Sequence, residues 1–422
     1  MSTFSTSDRF ARHRLIEGFS QELVSSLRLA VVGAGAIGNE LIKNLLLMGV
    51  GTIDVYDFDT VELSNLTRSV FLRESDLGQN KAQALVSRAQ ELQPGTTLRA
   101  IPGDITRTLS LSQFSSYDMV IAAVDNIEAR LRINEMALIM QRDWMNLAID
   151  ARSAVVELFP FRSTERACYA CSLPSSVFER MAERYSCGGL QRAALLERKI
   201  PTTALTASAV AALACSEMLR FIHQKRQESL PPEALLFGGY RIDGAQRVYM
   251  DTVAPTISRT RIRKAGVERG CPGCALHRPA KSFIRVTLPD TGPSNKPHVY
   301  SHALREQVDQ AINRINSLDE SKKDSLVVRL SDALILNCSC AQCNANPEDT
   351  LEFSALRGAR AREQKDTIAS CPKCQQVAVV FDILDTLTIA EFRSHFHTNL
   401  PDCAWLTIDD HCIDLGAAFA HP

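Results

Sequence analysis

The chain of 422 residues has no excess of charge of either sign: 47 lysines and arginines stand against 48 aspartates and glutamates, a formal net charge of −1. A surface so balanced exerts no long-range pull on polyanions, which argues against nucleic-acid and anionic-membrane partners. The opening residues, MSTFSTSDRFARHRL, lack an apolar core, so no secretory signal is expected there. No apolar run of membrane-spanning length is unbroken. The most apolar later segment, 204–222, is interrupted by Ser208, Ser216, Glu217 and Arg220 and reads as a buried amphipathic helix. Internal repeats and low-complexity segments are absent too. Cysteine is not scarce: there are 13, eight of them in four CxxC pairs. In a chain long enough for two or three domains, that pattern argues for metal sites in a reducing cytoplasm rather than for disulfides.

What is present is organised around residues 29–68. Leu29-Ala30-Val31-Val32 is a short apolar run that reads as a buried parallel strand. It enters Gly33-Ala34-Gly35-Ala36-Ile37-Gly38, a GxGxxG turn opening a helix with apolar positions at Ile37, Leu41, Leu45 and Met48. Glycines let the backbone turn tightly there and approach a phosphate, which sits on free N–H groups at the helix N-terminus. A second strand, 52–56, ends at Asp57, whose carboxylate can accept from ribose hydroxyls. This much is a nucleotide site that does not say which nucleotide, and a nicotinamide oxidoreductase fits it. Further strands at 97–101, 119–124 and 144–149 alternate with helices at 37–48, 80–92 and 128–142. The alternation predicts an α/β fold, a doubly wound Rossmann-like sheet with ligand at the carboxyl ends of its strands.

Beyond the second strand the sequence leaves the dinucleotide pattern. Asp57-Phe58-Asp59-Thr60-Val61, then Ser64-Asn65-Leu66-Thr67-Arg68, closely resembles the D-x-D-x-V…S-N-L-x-R signature of an adenylating superfamily. That superfamily includes ubiquitin-activating enzymes and the molybdopterin- and thiamine-pathway adenylyltransferases. Arg68 offers a planar fork of donors to triphosphate oxygens. At the spacing the superfamily shows, Lys81 supplies a point charge for a phosphate, and Asp125, at the end of the apolar run 120–124, is suited to hold Mg²⁺. Taken singly, Lys81 is a solvated helix residue and Asp125 a helix N-cap; their joint order favours the site. Ser69 stands where the superfamily usually has Gln, which removes an amide from metal or loop positioning. Arg9-Phe10-Ala11-Arg12-His13 resembles the segment that opens the bacterial members. The resemblance implies that Arg12 crosses a homodimer interface to the neighbour's ATP; an exposed amphipathic helix is the alternative.

Cys168-Tyr169-Ala170-Cys171 and Cys271-Pro272-Gly273-Cys274 are two knuckles, and two knuckles close a tetrahedral Zn²⁺ site with no position left for chemistry. The resemblance expects a structural zinc there. Cys340, Cys343, Cys371 and Cys374 form a second paired set at zinc-ribbon spacing, with Cys338 spare. No basic-aromatic stripe accompanies this ribbon, so protein contact is expected in place of nucleic acid. Between the first two knuckles, Cys187 lies in a glycine-bearing loop flanked by Arg184 and Arg192, cations that favour thiolate, ahead of Pro201-Thr202-Thr203. The arrangement is similar to activating enzymes that carry a thioester cysteine in a short loop. The alternative is a loop cysteine without a role. Cys215 reads as core packing. Residues 238–251 suggest two short strands about an Asp243-Gly244 turn, followed by a basic, polar stretch at 254–270. A helix is expected at 304–318 and strands at 326–330 and 334–336.

Three segments are expected: an N-terminal helical arm (1–28), an adenylation domain with its crossover loop and cysteine site (29–276), and a C-terminal zinc-ribbon, partner-docking module (277–422). The resemblance, strong over 7–275 and looser beyond, implies ATP-dependent adenylation of the C-terminal glycine of a ubiquitin-like protein, then a thioester on Cys187 and transfer to a ubiquitin-conjugating-type enzyme. Gly33, Gly35 and Gly38 would shape the phosphate loop, Asp57 take the ribose with Asp59 also binding the nucleotide, Asn65, Arg68, Lys81 and a neighbour's Arg12 neutralise phosphates, and Asp125 hold Mg²⁺. Bacterial members with this architecture often sit in antiphage conjugation systems. Three alternatives stay open: a sulfur-carrier-protein adenylyltransferase with no thioester step, a non-catalytic half of a heterodimer, and a nicotinamide oxidoreductase.

Overall fold

A computed structural model of the chain describes residues 8–161, 167–178, 202–226, 241–254, 256–265, 270–271, 273–274, 280–285, 297–316, 326–340, 342–343, 371, 373–374, 379–396, 405–408 and 410–415. The chain divides into two compact units.

The first unit begins with a single-turn arm and helix α1 (Gln21–Ser26), then alternates strand and helix: β1 (Arg28–Val32), α2 (Ala36–Met48), β2 (Thr52–Asp57), α3 (Lys81–Ala89) and β3 (Thr97–Pro102). Two short helices, α4 (Ile105–Thr108) and α5 (Leu111–Ser115), precede β4 (Met119–Ala122), α6 (Ile127–Met140), β5 (Trp144–Ile149) and β6 (Ser153–Phe159). Helix α7 (Ala204–Arg226) and the strands β7 (Gln246–Asp251) and β8 (Thr256–Arg261) follow. The eight strands form one sheet in the order β3-β2-β1-β4-β5-β6-β7-β8. The strands β3 to β5 run parallel, and β6, β7 and β8 extend the sheet antiparallel. From β1 the chain winds outward to β2 and β3 on one side and to β4 on the other. The carboxyl end of β1 is therefore a topological switch point, where open α/β sheets leave a crevice.

Helix α2 forms because its apolar residues fall on one broad face. Leu41, Ile42, Leu45 and Leu46 are fully buried beside Val31 and Val55 of the sheet and Val210, Ala214, Met218 and Ile222 of α7. Each such side chain contributes about 1.5–3 kcal/mol on burial. The helix stops at Gly49, whose φ of 75° no β-carbon-bearing residue adopts freely; a β-carbon there would strike the Phe10 ring at 2.4 Å. Among the described residues α7 alone is long and apolar enough to cross a membrane. Its apolar face instead fills the core against α2.

The second unit holds β9 (Ser282–Arg285), α8 (Pro297–Asn316), β10 (Val327–Cys340), β11 (Val379–Thr388), α9 (Ile389–His395), β12 (Trp405–Ile408) and β13 (His411–Asp414). Its sheet runs β11-β10-β12-β13-β9 over a separate core of Val308, Ile312 and Ile315 with Val328, Leu406, Ile408 and Ile413. Thr388 and Glu391 close a reciprocal capping box on α9.

Three local expectations are corrected. The arm is not one helix: after a 3₁₀ turn at His13–Leu15, Gly18 at φ 76° separates it from α1. The hairpin does not turn at Asp243-Gly244. Residues 246–251 form a continuous strand paired on both sides, and the chain reverses after Asp251, whose carboxylate accepts from the Val253 and Ala254 N–H groups. Thr256–Arg261 of the basic stretch is edge strand β8, with every residue of the strand exposed; arginines there discourage edge-to-edge pairing. Residues 326–336 are one strand with a register shift between Arg329 and Leu334, not two strands. The Ser331-Asp332 pair that reads as a break is the irregularity itself.

Candidate functional site

Strand β1 delivers the chain to Gly33 at the switch point. Gly33 adopts φ 104°, its N–H donates to the Tyr56 carbonyl (2.8 Å), and a β-carbon would lie 2.5 Å from the Ala123 oxygen. A β-carbon on Gly38 would come within 2.0 Å of the Gly33 oxygen. Those two glycines are packing requirements. Gly35 differs: nothing lies within 4 Å of its missing β-carbon, and it caps α2 with no side-chain bond. The open space lies at the N-terminus of a 13-residue helix, where free N–H groups and the helix dipole favour an anion.

The β2 flank of this turn is closely tied. Asp57 accepts from the Ala34 N–H on one carboxylate oxygen (2.6 Å) and from the Asp59 N–H on the other (2.8 Å). Burial raises the pKa of Asp57 above the ordinary carboxylate value, and these two donors oppose the rise. Lys81, the first residue of α3, bonds Asp59 through its ammonium at 2.7 Å; its side chain is only 13% exposed, so it is no solvated helix residue. The Asn80 amide donates to the Asp57 carbonyl at 2.9 Å while its oxygen caps α3. Asn65 accepts from the Glu62 N–H (2.9 Å), and Arg68 donates to the Ser64 carbonyl (2.7 Å). The Ser69 hydroxyl, standing where the resemblance expects an amide, is buried with no hydrogen-bond partner among the described residues.

The β4 flank is open. Asn126 caps α6 by accepting from the Ala129 N–H at 2.7 Å, so Asp125 is not the cap. The Asp125 carboxylate is exposed and has no partner among the described residues. The turn that carries it is pinned by Arg130, which donates to the Val124 carbonyl at 2.6 Å.

The structure thus brings Gly33, Gly35, Gly38, Asp57, Asp59 and Lys81 together, with Asp125 across the crevice. The loop of Asn65 and Arg68 is tied to α2 at Phe71, three residues beyond Arg68, whose N–H donates to the buried amide oxygen of Asn39 (3.0 Å); the described bonds of Asn65 and Arg68 themselves stay within that loop. Arg12 is not among them. Phe10 packs on Gly49 and Arg9 bonds the Leu92 carbonyl, so this segment sits at the far end of α2, about 20 Å along the helix from the glycine turn. Arg12 is exposed and unpartnered among the described residues. Cys187, with Arg184 and Arg192, lies outside the described residues.

Both cysteine sets assemble. In the first unit the Sγ atoms of Cys168, Cys171, Cys271 and Cys274 lie 3.4–3.8 Å apart. In the second, Cys340 lies 3.6 Å from Cys374 and Cys343 lies 3.8 Å from Cys371. A tetrahedron of sulfurs at the Zn–S distance of ~2.3 Å has edges of ~3.8 Å, so both quartets fit Zn²⁺. The hydrogen bond between Cys168 and Cys171 lowers the pKa of Cys171, whose thiolate accepts it, and raises that of Cys168, whose thiol proton it holds.

Three polar residues with positioning roles escape a sequence reading: Asn39, Arg130 and Asn134. Asn134 is buried on α6 and accepts from the Tyr169 N–H of the first knuckle at 2.8 Å. The only signal for each is a polar residue interrupting the apolar face of a helix.

The model of the ThiF family matches residues 8–255. The ubiquitin-like modifier-activating enzyme 5 of Arabidopsis thaliana is 30% identical over 219 residues, 48% of this chain and 48% of that protein. The sulfur carrier protein adenylyltransferase of Thermus thermophilus is 32% identical over 175 residues, 40% of this chain and 64% of that one. The SUMO-activating enzyme subunit 2 of Dictyostelium discoideum is 36% identical over 116 residues, 27% of this chain and 18% of that one. The chain spans about half the length, or less, of most of the curated relatives it matches. Among solved structures, E. coli MccB with ATP is 20% identical, with a TM-score of 0.45 over 60% of this chain and 68% of that one. The chain belongs to the ThiF family.

Proposed function

We propose that this ThiF-family chain adenylates the C-terminal glycine of a ubiquitin-like protein with ATP, and then takes the acyl group onto Cys187 as a thioester for a conjugating enzyme. The observation that carries the first step is the crevice at Gly35: an open helix N-terminus with Asp57 and Lys81 on one side and a free Asp125 on the other. Relatives named as ubiquitin-like modifier-activating enzymes support the choice of substrate.

In this reading the N–H groups that open α2 receive phosphate oxygens, Asp57 accepts from the ribose, and Lys81 exchanges Asp59 for a phosphate. Arg68 and Asn65 close over the same phosphates. Asp125 would hold Mg²⁺, which supplies charge neutralisation when bound. The carboxylate oxygen of the substrate attacks the α-phosphorus, the bond to the bridging oxygen breaks, and pyrophosphate leaves. Positioning and neutralised charge carry the rate, with little covalent work for the protein. The Cys187 thiolate then attacks the activated carbonyl and AMP departs. Arg12, too far from its own crevice, serves the crevice of a second copy, so the working form is a homodimer. The two cysteine quartets hold structural Zn²⁺, the second unit docks the conjugating partner, and the chain acts in the cytoplasm, where its thiols stay reduced.

A second reading is a sulfur-carrier-protein adenylyltransferase, favoured by the likeness to the Thermus thermophilus adenylyltransferase. Mixing the chain with candidate ubiquitin-like proteins, ATP and Mg²⁺ and running a non-reducing gel separates the two. The thioester reading expects a reductant-sensitive band that disappears in Cys187→Ala. Pyrophosphate release without that band selects the sulfur-carrier reading, and silence in both assays rejects each for the proteins tried.

A further inference from the structure

Resting on the nucleotide reading proposed above, we infer that Asn39 is a positioning residue that aims the phosphate-binding N–H groups and sets the Arg68 loop in register with them. Asn39 is fully buried on the first turn of α2, among Ile37, Leu41 and Ile42. A polar side chain in such surroundings costs stability unless its bonds are made. Its Nδ2 donates to the Ala34 carbonyl at 2.7 Å and to the Gly35 carbonyl at 3.0 Å. Its Oδ1 accepts from the Phe71 N–H at 3.0 Å.

These bonds have a directional consequence. In a trans peptide the C=O and N–H point opposite ways. The Ala34 carbonyl shares its peptide with the Gly35 N–H, and the Gly35 carbonyl shares its peptide with the Ala36 N–H. Drawing both carbonyls inward to one amide turns both N–H groups outward, to the side where Gly35 leaves open space. The Ala34 N–H is held separately by Asp57, so the peptides on either side of Ala34 are both fixed. The third bond reaches the segment following Arg68. One side chain therefore sets two groups of phosphate donors that are far apart in the chain. Ser and Asp at this position cannot make the same set: a serine is too short to span it, and a carboxylate meets two carbonyls with no proton to give.

The test uses the full-length chain with Asn39→Asp and Asn39→Ser, titrated calorimetrically with ATP·Mg²⁺ and separately with adenosine, beside thermal unfolding. A lesser folded fraction changes the binding stoichiometry and not the dissociation constant. Misaimed donors raise the constant for ATP, about tenfold or more for lost bonds to charged phosphate, and leave that for adenosine nearly unchanged. An ATP constant within about twofold of wild type overturns the inference, as does an equal weakening of ATP and adenosine. If Asn39→Asp does not fold, Asn39→Ser decides. A wild-type chain that binds no ATP removes the nucleotide reading itself, and the inference with it.

Discussion

The two flanks of the glycine turn are built on opposite plans. On the β2 side every charged group already has a protein partner: Asp57 holds two backbone N–H groups, Asp59 holds Lys81, and Arg68 holds a carbonyl. On the β4 side, and at the far end of α2, Asp125 and Arg12 stand in solvent with none among the described residues. The tied flank is rigid before any ligand arrives; the open one is completed by what binds. A substitution on the open flank should therefore cost activity without stability, and one on the tied flank some of both.

Asp125→Asn should show the contrast most sharply. ATP–pyrophosphate exchange is expected to fall about a hundredfold or more, the scale for removing one charge from a developing phosphoryl site, with no change in unfolding temperature. Equal loss of both would place Asp125 with the tied side chains. Arg12→Ala should reduce exchange less, again at constant stability. At ATP well below the KM of Lys81→Ala, mixing the two should restore activity to about a quarter of wild type, since only mixed dimers hold one complete site. A mixture as inactive as its components would return Arg12 to its own protomer. Lys81→Ala is expected to raise the KM for ATP about tenfold and, by leaving a half-exposed Asp59 alone, to cost at most about 1 kcal/mol in folding. A loss of several kcal/mol would make the pair structural.

The smallest effect concerns the fastening of the Arg12 arm. His223 is buried; its Nε2 accepts from the Ser20 N–H (3.0 Å) while its Nδ1–H donates to the Leu219 carbonyl (2.7 Å). Burial lowers its pKa below 6.5, outweighing those bonds. A folded-state pKa below the unfolded one means that the unfolded chain takes up the proton first. Stability is therefore full above pH 6.5 and declines as the pH falls through the folded pKa. Thermal unfolding between pH 7.5 and 5.5 should slope downward toward acid in wild type and flatten in His223→Gln. Identical slopes would mean that other groups set the acid limit.

What could be read from the sequence follows its periodicity. Strands β1 to β5 and helices α2, α3 and α6 declared themselves because buried parallel strands are continuous apolar runs and helices recur near every fourth residue; the short α4 and α5, one turn each, carry no such period. The glycines were legible as a pattern, but not the division of labour among them, which depends on Ala123 and Gly33 oxygens brought near by the fold. Asn39 and Asn134 stayed invisible because a polar residue on an apolar helix face looks like an interruption until its partners, Phe71 and Tyr169, arrive from elsewhere. The Asp243-Gly244 turn misled for the opposite reason. Local turn chemistry was outweighed by pairing of residues 246–251 on both sides.

The first cysteine quartet also fixes an order of events in time. Cys168 and Cys271 are 103 positions apart, as are Cys171 and Cys274. At a synthesis rate of about 5–20 residues per second, the first knuckle leaves the ribosome about 5–20 seconds before the second. For that interval the nascent chain carries two of the quartet's four thiols; β1 to β6 are made before it begins, and β7 and β8 are made late within it, ahead of Cys271. Closure of the quartet therefore follows completion of the eight-stranded sheet, so it acts as a check on that sheet: a product truncated before Cys271 retains an open pair of thiols.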